Sequence, residues 1–286
     1  HREAAARSKD RSSDTGTLTV SAPYAGPGRA VGMLDPSYSL YPVLAAAQGA
    51  ETVRVPVSDD LSFDLAAASR CGASLFFLTN PNAPLGVRFT PERVAEFAAA
   101  FPGLLIVDEA YAAFSDGDCV DLARALSNVV VTRTLSKGHA LAGMRAGYAL
   151  CPAGVASVLH RVRDSYNLDR VAQAAAAAAL LDTAWLARNV ASVKSTRARM
   201  VSALRTLGWA CVEPYGNFVL TEPRSSRHRP SRETSERAFD FLRSRRILVR
   251  RFPAHPLTER CLRVSVGTDA EADSFLAAAR DWTAEG

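Results

Sequence analysis

Residues 129–145 read VVVTRTLSKGHALAGMR. The apolar run Val129, Val130, Val131 passes into Thr132, Arg133, Thr134, Leu135, Ser136 and Lys137, and a segment of small residues leads on to Arg145. A short continuous run of β-branched residues reads as a strand buried on both faces. Arginine carries almost all the basic charge of this chain, and its lysines are Lys9, Lys137 and Lys194. A lysine at the tip of a buried strand, beside hydroxyls and ahead of an arginine, therefore needs a chemical reason.

Working outward, short apolar runs alternate with helical patterns. The spacing predicts strands over 30–34, 51–55, 74–78, 104–107, 128–132 and 146–150. Between them lie helical stretches such as residues 90–101, TPERVAEFAAAF, where Thr90 reads as an N-cap and Pro91 as the first helical residue. This alternation predicts an α/β fold with a mostly parallel sheet sandwiched by helices. In such sheets the chemistry sits beyond the carboxyl ends of the strands. Residues 170–208 are rich in strong helix formers, and Gly208 is a natural stop. Strand patterns over 209–213, 217–222, 246–252 and 261–267 follow, with helices from about 231 and from Asp269. The expected organisation is a polar, disordered leader over 1–28, a large domain over 29–183 and a smaller α+β domain over 184–286.

The bulk numbers narrow the classes. The chain has 286 residues, 48% of them hydrophobic, which is enough for a sizeable core. The net charge of +5 is spread along the chain, which favours anionic small substrates or an arginine-rich composition over nucleic acid. The basic stretch 222–237, EPRSSRHRPSRETSER, reads as a solvated loop because no aromatic residues are interleaved for base stacking. Five widely spaced cysteines show no metal-ligand or disulfide pattern, so no metal is expected and the reducing cytoplasm is favoured. No apolar run has the roughly twenty residues of a membrane span, so no membrane partner is expected.

Asp108 ends the apolar run of GLLIVDEAYAAF, residues 103–114, which places a carboxylate at the sheet's carboxyl edge. A magnesium-holding role would require a phosphate-binding Gly-x-x-x-x-Gly-Lys loop, and none of the three lysines has that context. GPGRAVG, residues 26–32, precedes a strand instead of following one, so it is a poor dinucleotide fingerprint. A protonated pyridine nitrogen is another partner for Asp108, with Lys137 bonding the same ring's aldehyde. Pyridoxal phosphate needs a lysine, an acid on the ring nitrogen, a phosphate cradle and support for the ring, and the sequence offers each.

The chain resembles the fold-type I, pyridoxal-phosphate-dependent aminotransferases of class I/II, most of all those acting on histidinol phosphate. The motifs LDPSYSLYP, TNPNAPLG, VDEAYAAF, RTLSKGHALAGMRAGY, DSYNLDRVAQ, GNFVL, ILVRRF and LRVSVGT occur in the family's order. The resemblance implies an enzyme, usually a cytoplasmic homodimer, that exchanges an amino group between histidinol phosphate and 2-oxoglutarate in histidine biosynthesis. It implies that Lys137 bonds the cofactor's aldehyde and shuttles the substrate's Cα proton, for which the lysine must lose its own proton. Asp108 then holds the ring nitrogen protonated, and Tyr111 donates to the ring's 3′ oxygen. Ser136 and Arg145 grip the phosphate with help from Thr134, and Tyr38 stacks on the ring. Arg263 pairs with the substrate carboxylate, a task suited to a planar fork. Arg250 is the second arginine, with Arg251 the alternative if the register slips, and Asn167 lines the site. Packing alone also explains Tyr111 and Tyr38, and a solvent-facing strand position also explains Arg263.

Two departures stand out. The family's Asn-Pro-Asn-Asn-Pro-Thr-Gly is here Asn80, Pro81, Asn82, Ala83, Pro84, Leu85, Gly86, so Ala83 lacks the amide that bonds the 3′ oxygen. Either Asn82 substitutes or Tyr111 carries the contact alone, and one lost neutral hydrogen bond costs about 1 kcal/mol. The first 28 residues also do not reproduce the arm and phosphate-binding helix start of relatives. They read as a disordered or foreign leader on a truncated or divergent member with weakened cofactor affinity. The alternatives are a relative acting on aromatic amino acids, one decarboxylating a phosphorylated amino acid, and a non-catalytic remnant.

Overall fold

The computed structural model describes residues 23–285. Most of the leader, with any bearing it has on cofactor affinity, lies outside the described residues. Its end, residues 23–28, forms a turn. Tyr24 and Ala25 pack on buried apolar residues, Ser74 Oγ donates to the Tyr24 carbonyl at 2.9 Å, and Gly28 at φ 74° turns the chain into the first strand.

The first sheet contains β1 (Ala30–Asp35), β2 (Glu51–Pro56), β3 (Leu75–Thr79), β4 (Leu104–Asp108), β5 (Val129–Thr134) and β6 (Gly147–Leu150). Their order is β2-β1-β3-β4-β5-β6. All neighbours are parallel except β6, which returns antiparallel to β5. The crossovers carry α1 (Tyr41–Ala47), α2 (Leu65–Ser69), α3 (Pro91–Ala100) and α4 (Val120–Ala125). Thr90 caps α3 by accepting from Arg93 N, with Pro91 following it.

The side-chain period of two splits the sheet into two cores. Phe76, Leu78, Leu105, Val107, Val129 and Val131 pack on one face with Phe97 and Phe101. Val31, Met33, Leu75, Phe77, Ile106 and Val130 pack on the other with Tyr41 and Leu44. Strands buried on both faces show no polar alternation until their tips, where Thr79, Asp108 and Thr134 appear.

Beyond α5 (Ala153–Val162), the long helical region is broken at Asp182 into α6 (Arg170–Leu181) and α7 (Thr183–Thr206). The Asp182 carboxylate accepts from Trp185 N and so caps α7. The second sheet has the order β7 (Ala210–Cys211), β8 (Phe218–Glu222), β10 (Leu262–Ser265), β9 (Arg250–Arg251), all antiparallel, and is covered by α8 (Arg232–Ser244) and α9 (Asp269–Glu285). The strand expected over 246–252 is confined to Arg250–Arg251, with Leu248 exposed beside it. Helix α7 ties the two sheets together. Arg197 donates to the carbonyls of Phe114 and Gly216, and Lys194 pairs with Asp116.

Candidate active site

Parallel pairing brings the tips of β3, β4 and β5 side by side, with Thr79 opposite Asp108 and Asp108 opposite Thr132. Two backbone bonds extend the ladder past the tips, Asn80 N to the Asp108 carbonyl at 2.9 Å and Glu109 N to the Thr132 carbonyl at 2.8 Å. The residues that follow each strand are therefore held close together.

Asp108 is the anionic centre. Its Oδ2 accepts from Tyr41 Oη at 2.6 Å and its Oδ1 from Ala110 N at 3.1 Å. Burial pushes its carboxyl above the usual carboxylate range, while Tyr41, Ala110 N and the nearby Lys137 charge pull the other way. Lys137 follows β5 and lies within electrostatic reach of Asp108. Burial, then the charges of Arg263 and Arg145, hold its amine below the ordinary lysine range. Its Nζ lies 5.7 Å from the centre of the Tyr111 ring. That ring packs edge-on to Phe218 at 5.2 Å, and burial raises the pKa of its hydroxyl.

The second sheet supplies cations. The Arg263 guanidinium lies over Phe218 at 4.9 Å and Phe252 at 5.1 Å, and burial lowers its pKa. Arg250 is its cross-strand neighbour and lies over Phe252 at 5.5 Å. Arg251 points to the opposite face and pairs with Glu236 at 3.2 Å.

The remaining expected residues are placed as follows. Thr134 Oγ1 donates to Ser136 Oγ at 2.9 Å and accepts from Ser136 N at 3.1 Å, so the two hydroxyls form one cluster at the end of β5. Arg145 adopts a left-handed backbone at φ 52° and donates to the Ala142 carbonyl. Tyr38 is partly exposed and meets Tyr41 edge-on at 5.5 Å. Asn82 is fully buried and its amide is engaged by backbone: Nδ2 donates to the Pro36 carbonyl and Oδ1 accepts from Leu85 N. Asn167 lies on the exposed segment between α5 and α6. Among the described residues, no hydrogen bond joins it to the group around Lys137.

The sequence reading missed two pairs of contributors, Tyr41 with Thr79 and Glu109 with Arg133. Tyr41 and Thr79 bond each other at 2.8 Å on the Asp108 face of the sheet. Under the opposite face, the buried Glu109 accepts from Arg133 Nε at 2.9 Å and Nη2 at 2.7 Å, and Arg133 also reaches Asp118 at 2.8 Å. For Glu109 and Arg133 a signal was available, because residues adjacent to Asp108 and Thr134 along the chain must face the other way.

The donor set has a definite chemistry. It combines an amine poised to lose its proton, a buried carboxylate with lone pairs to spare, a hydroxyl pair, Arg145 ahead of β6 and two arginines from the second sheet. These match an anionic aromatic aldehyde and an anionic substrate.

Comparison with known proteins points the same way. The sequence profile of aminotransferase class I and II matches residues 12–278. The chain is 44% identical over 258 residues to the histidinol-phosphate aminotransferase of Geobacter sulfurreducens, covering 90% of this chain and 71% of that protein. It is 44% identical over 258 residues to that of Syntrophotalea carbinolica, covering 90% and 72%. The crystal structure of histidinol-phosphate aminotransferase from Sinorhizobium meliloti in complex with pyridoxal-5′-phosphate superposes with a TM-score of 0.83 at 31% identity, over 93% of this chain and 75% of that one.

Proposed function

We propose that this chain, which belongs to the class I and II aminotransferase family, moves an amino group between histidinol phosphate and 2-oxoglutarate in histidine biosynthesis. The cofactor is pyridoxal phosphate, and when bound it supplies an electron sink for the electrons left as a proton leaves the substrate's Cα. The observation that carries the reading is the convergence of Lys137 and Asp108 at neighbouring strand tips, with the cations of Arg145 and Arg263 in electrostatic reach of Lys137.

In this reading Lys137 holds the aldehyde end and Asp108 the ring nitrogen. The Thr134–Ser136 hydroxyls and Arg145 hold the phosphate, and Tyr38 lies against the ring. With the Asn82 amide engaged by the Pro36 and Leu85 backbone, the bond to the 3′ oxygen falls to Tyr111. Lys137 Nζ would take the proton from the substrate's Cα and deliver it to C4′, the former aldehyde carbon of the cofactor, with the reverse transfer in the second half of the exchange. Its depressed pKa supports this role, since only the neutral amine accepts a proton. Arg263 and Arg250 receive the anionic ends of the two substrates, the carboxylates of 2-oxoglutarate and the phosphate of histidinol phosphate. Asn167, on the exposed segment between α5 and α6, is the remaining substrate-side residue of this reading.

The working molecule in this reading is a homodimer in the cytoplasm. Tyr166, Val171 and Leu181 are 93%, 69% and 83% exposed on and beside α6, an apolar surface that a second copy would cover. All five cysteines are free, which suits a reducing compartment, and no helix among the described residues is long and apolar enough to cross a membrane. The division into residues 29–183 and 184–286 places α7 at the junction.

The test is an assay of glutamate formation from histidinol phosphate and 2-oxoglutarate with added pyridoxal phosphate. Turnover of histidinol phosphate well above that of aromatic amino acids is expected. A preference for aromatic donors, decarboxylation of a phosphorylated amino acid, or no turnover by a pyridoxal-phosphate-loaded chain would each overturn the assignment.

A further inference from the structure

Tyr41 lies outside every role assigned above, yet it makes the shortest contact to Asp108. It is fully buried at the first position of α1 and stacked on Phe77, with ring centres 4.3 Å apart and planes 5° from parallel. Tyr38 meets it edge-on at 5.5 Å. The stack on Phe77 and burial hold the ring with its hydroxyl at Asp108.

Proton counting gives the contact a direction. A tyrosine hydroxyl has one proton, and an ionised carboxylate can only accept. The Tyr41 proton therefore goes to Asp108 Oδ2 at 2.6 Å. Thr79 Oγ1, 2.8 Å from Tyr41 Oη, must then donate to Tyr41. Ser37 Oγ, 3.4 Å beyond, is left to donate weakly to Thr79. All three hydroxyl dipoles point toward the carboxylate.

We propose that Tyr41, backed by Thr79, is a positioning residue that keeps the Asp108 carboxylate charged and fixed toward the cofactor ring. The inference rests on the cofactor reading above and deepens it. Asp108 sits in a buried setting that favours its neutral acid, which would no longer accept from a protonated ring nitrogen. The groups facing it are Tyr41 from α1, Lys137 after β5 and Tyr111 after β4, with Arg263 next beyond Tyr111. Lys137 supports the negative charge only while it is an ammonium, and it must surrender that charge to react. The Tyr41 hydroxyl donates regardless of the state of Lys137. Each Asp108 oxygen has one protein donor, Tyr41 or Ala110 N, and keeps a lone pair for the site.

The test titrates the Asp108 carboxyl in the full chain by 13C NMR, with and without pyridoxal phosphate, using Asp108→Asn to identify the signal. Tyr41→Phe keeps the ring stack and removes only the donor, and it should raise the Asp108 midpoint by about one unit or more, the worth of a hydrogen bond to a charged group. The same variant should weaken pyridoxal phosphate binding about tenfold, because the ring nitrogen loses part of its partner's charge. An unchanged Asp108 midpoint in folded Tyr41→Phe overturns the proposal. Thr79→Val provides a second measurement should Tyr41→Phe fail to fold. It leaves the Tyr41 contact in place but removes the hydroxyl behind it, so a smaller upward shift is expected and a midpoint at or below wild type overturns the relay. Wild-type chain that takes up no pyridoxal phosphate would sink the cofactor reading alone, because the Asp108 titration without cofactor still decides the role of Tyr41.

Discussion

Arg250 and Arg263 are direct cross-strand partners on β9 and β10, so both guanidinium groups stand on the same face of the second sheet. Their neighbours Arg251 and Leu262 point the other way, Arg251 to Glu236 and Leu262 into the core. Phe252 lies under both guanidinium groups, and Phe218 under that of Arg263. Among the described residues no acid pairs with either guanidinium, which leaves the two cations available to an anionic ligand.

Arg263→Gln should therefore lower kcat/KM for 2-oxoglutarate by about tenfold to a hundredfold, the worth of a charge-assisted contact of 1.5–3 kcal/mol. Arg250→Gln, at a more exposed position, should cost less. Arg251→Gln should leave KM unchanged. Steady-state kinetics on the three variants check the ordering.

Lys137→Ala should remove the group that borohydride fixes to the cofactor. In wild type, reduction followed by peptide mass spectrometry should find the label on Lys137. The variant should carry none and lose more than about 10² in turnover. A label on Lys194 in the wild-type chain would contradict the site.

The pH profile should follow the charges around Lys137. Burial, Arg263 and Arg145 all favour its neutral form. Removing a nearby cation removes repulsion, so the ammonium is favoured and the pKa rises. In the cofactor-free chain the Lys137 pKa, read from the pH dependence of its labelling by an amine reagent, should rise in Arg145→Gln. It should rise further in Arg263→Gln, whose charge acts on Lys137 more strongly.

The Glu109–Arg133 pair should matter for stability more than for chemistry. Arg133→Met leaves the Glu109 carboxylate buried with Cys119, through its N–H and thiol, in place of a cation. A cost of about 3 kcal/mol in urea unfolding is expected, at the lower end for a broken buried pair because Arg133 is partly exposed. Adding Glu109→Gln to Arg133→Met should recover part of that loss, since no buried charge is then left unpaired.

The exposed surface on and beside α6 should set the oligomeric state. Wild type should sediment as a dimer. Replacing Val171 and Leu181 together by Glu should give a monomer with unchanged circular dichroism, whereas a monomeric wild type would leave this surface without its proposed function.

The first sheet was legible in the sequence because its strands are buried on both faces. Residues 75–79, 104–108 and 129–134 read as apolar runs that end in polar tips, and those tips place Asp108 and Lys137 at the same edge of the sheet. The motif order carried the family in the same way. Sequence could not decide what each tip residue touches. Nothing local in the sequence marks Tyr41, and only the packing of α1 on β3 and β4 brings its hydroxyl to Asp108. The strand that carries Arg250 and Arg251 is two residues long, too short for periodicity to read, and it is the β9–β10 register that puts Arg250 and not Arg251 on the face of Arg263. Local patterns determine which residues are buried because burial follows the helix and strand periods. Pairing between side chains distant in sequence depends on how the layers stack, and that belongs to the tertiary structure.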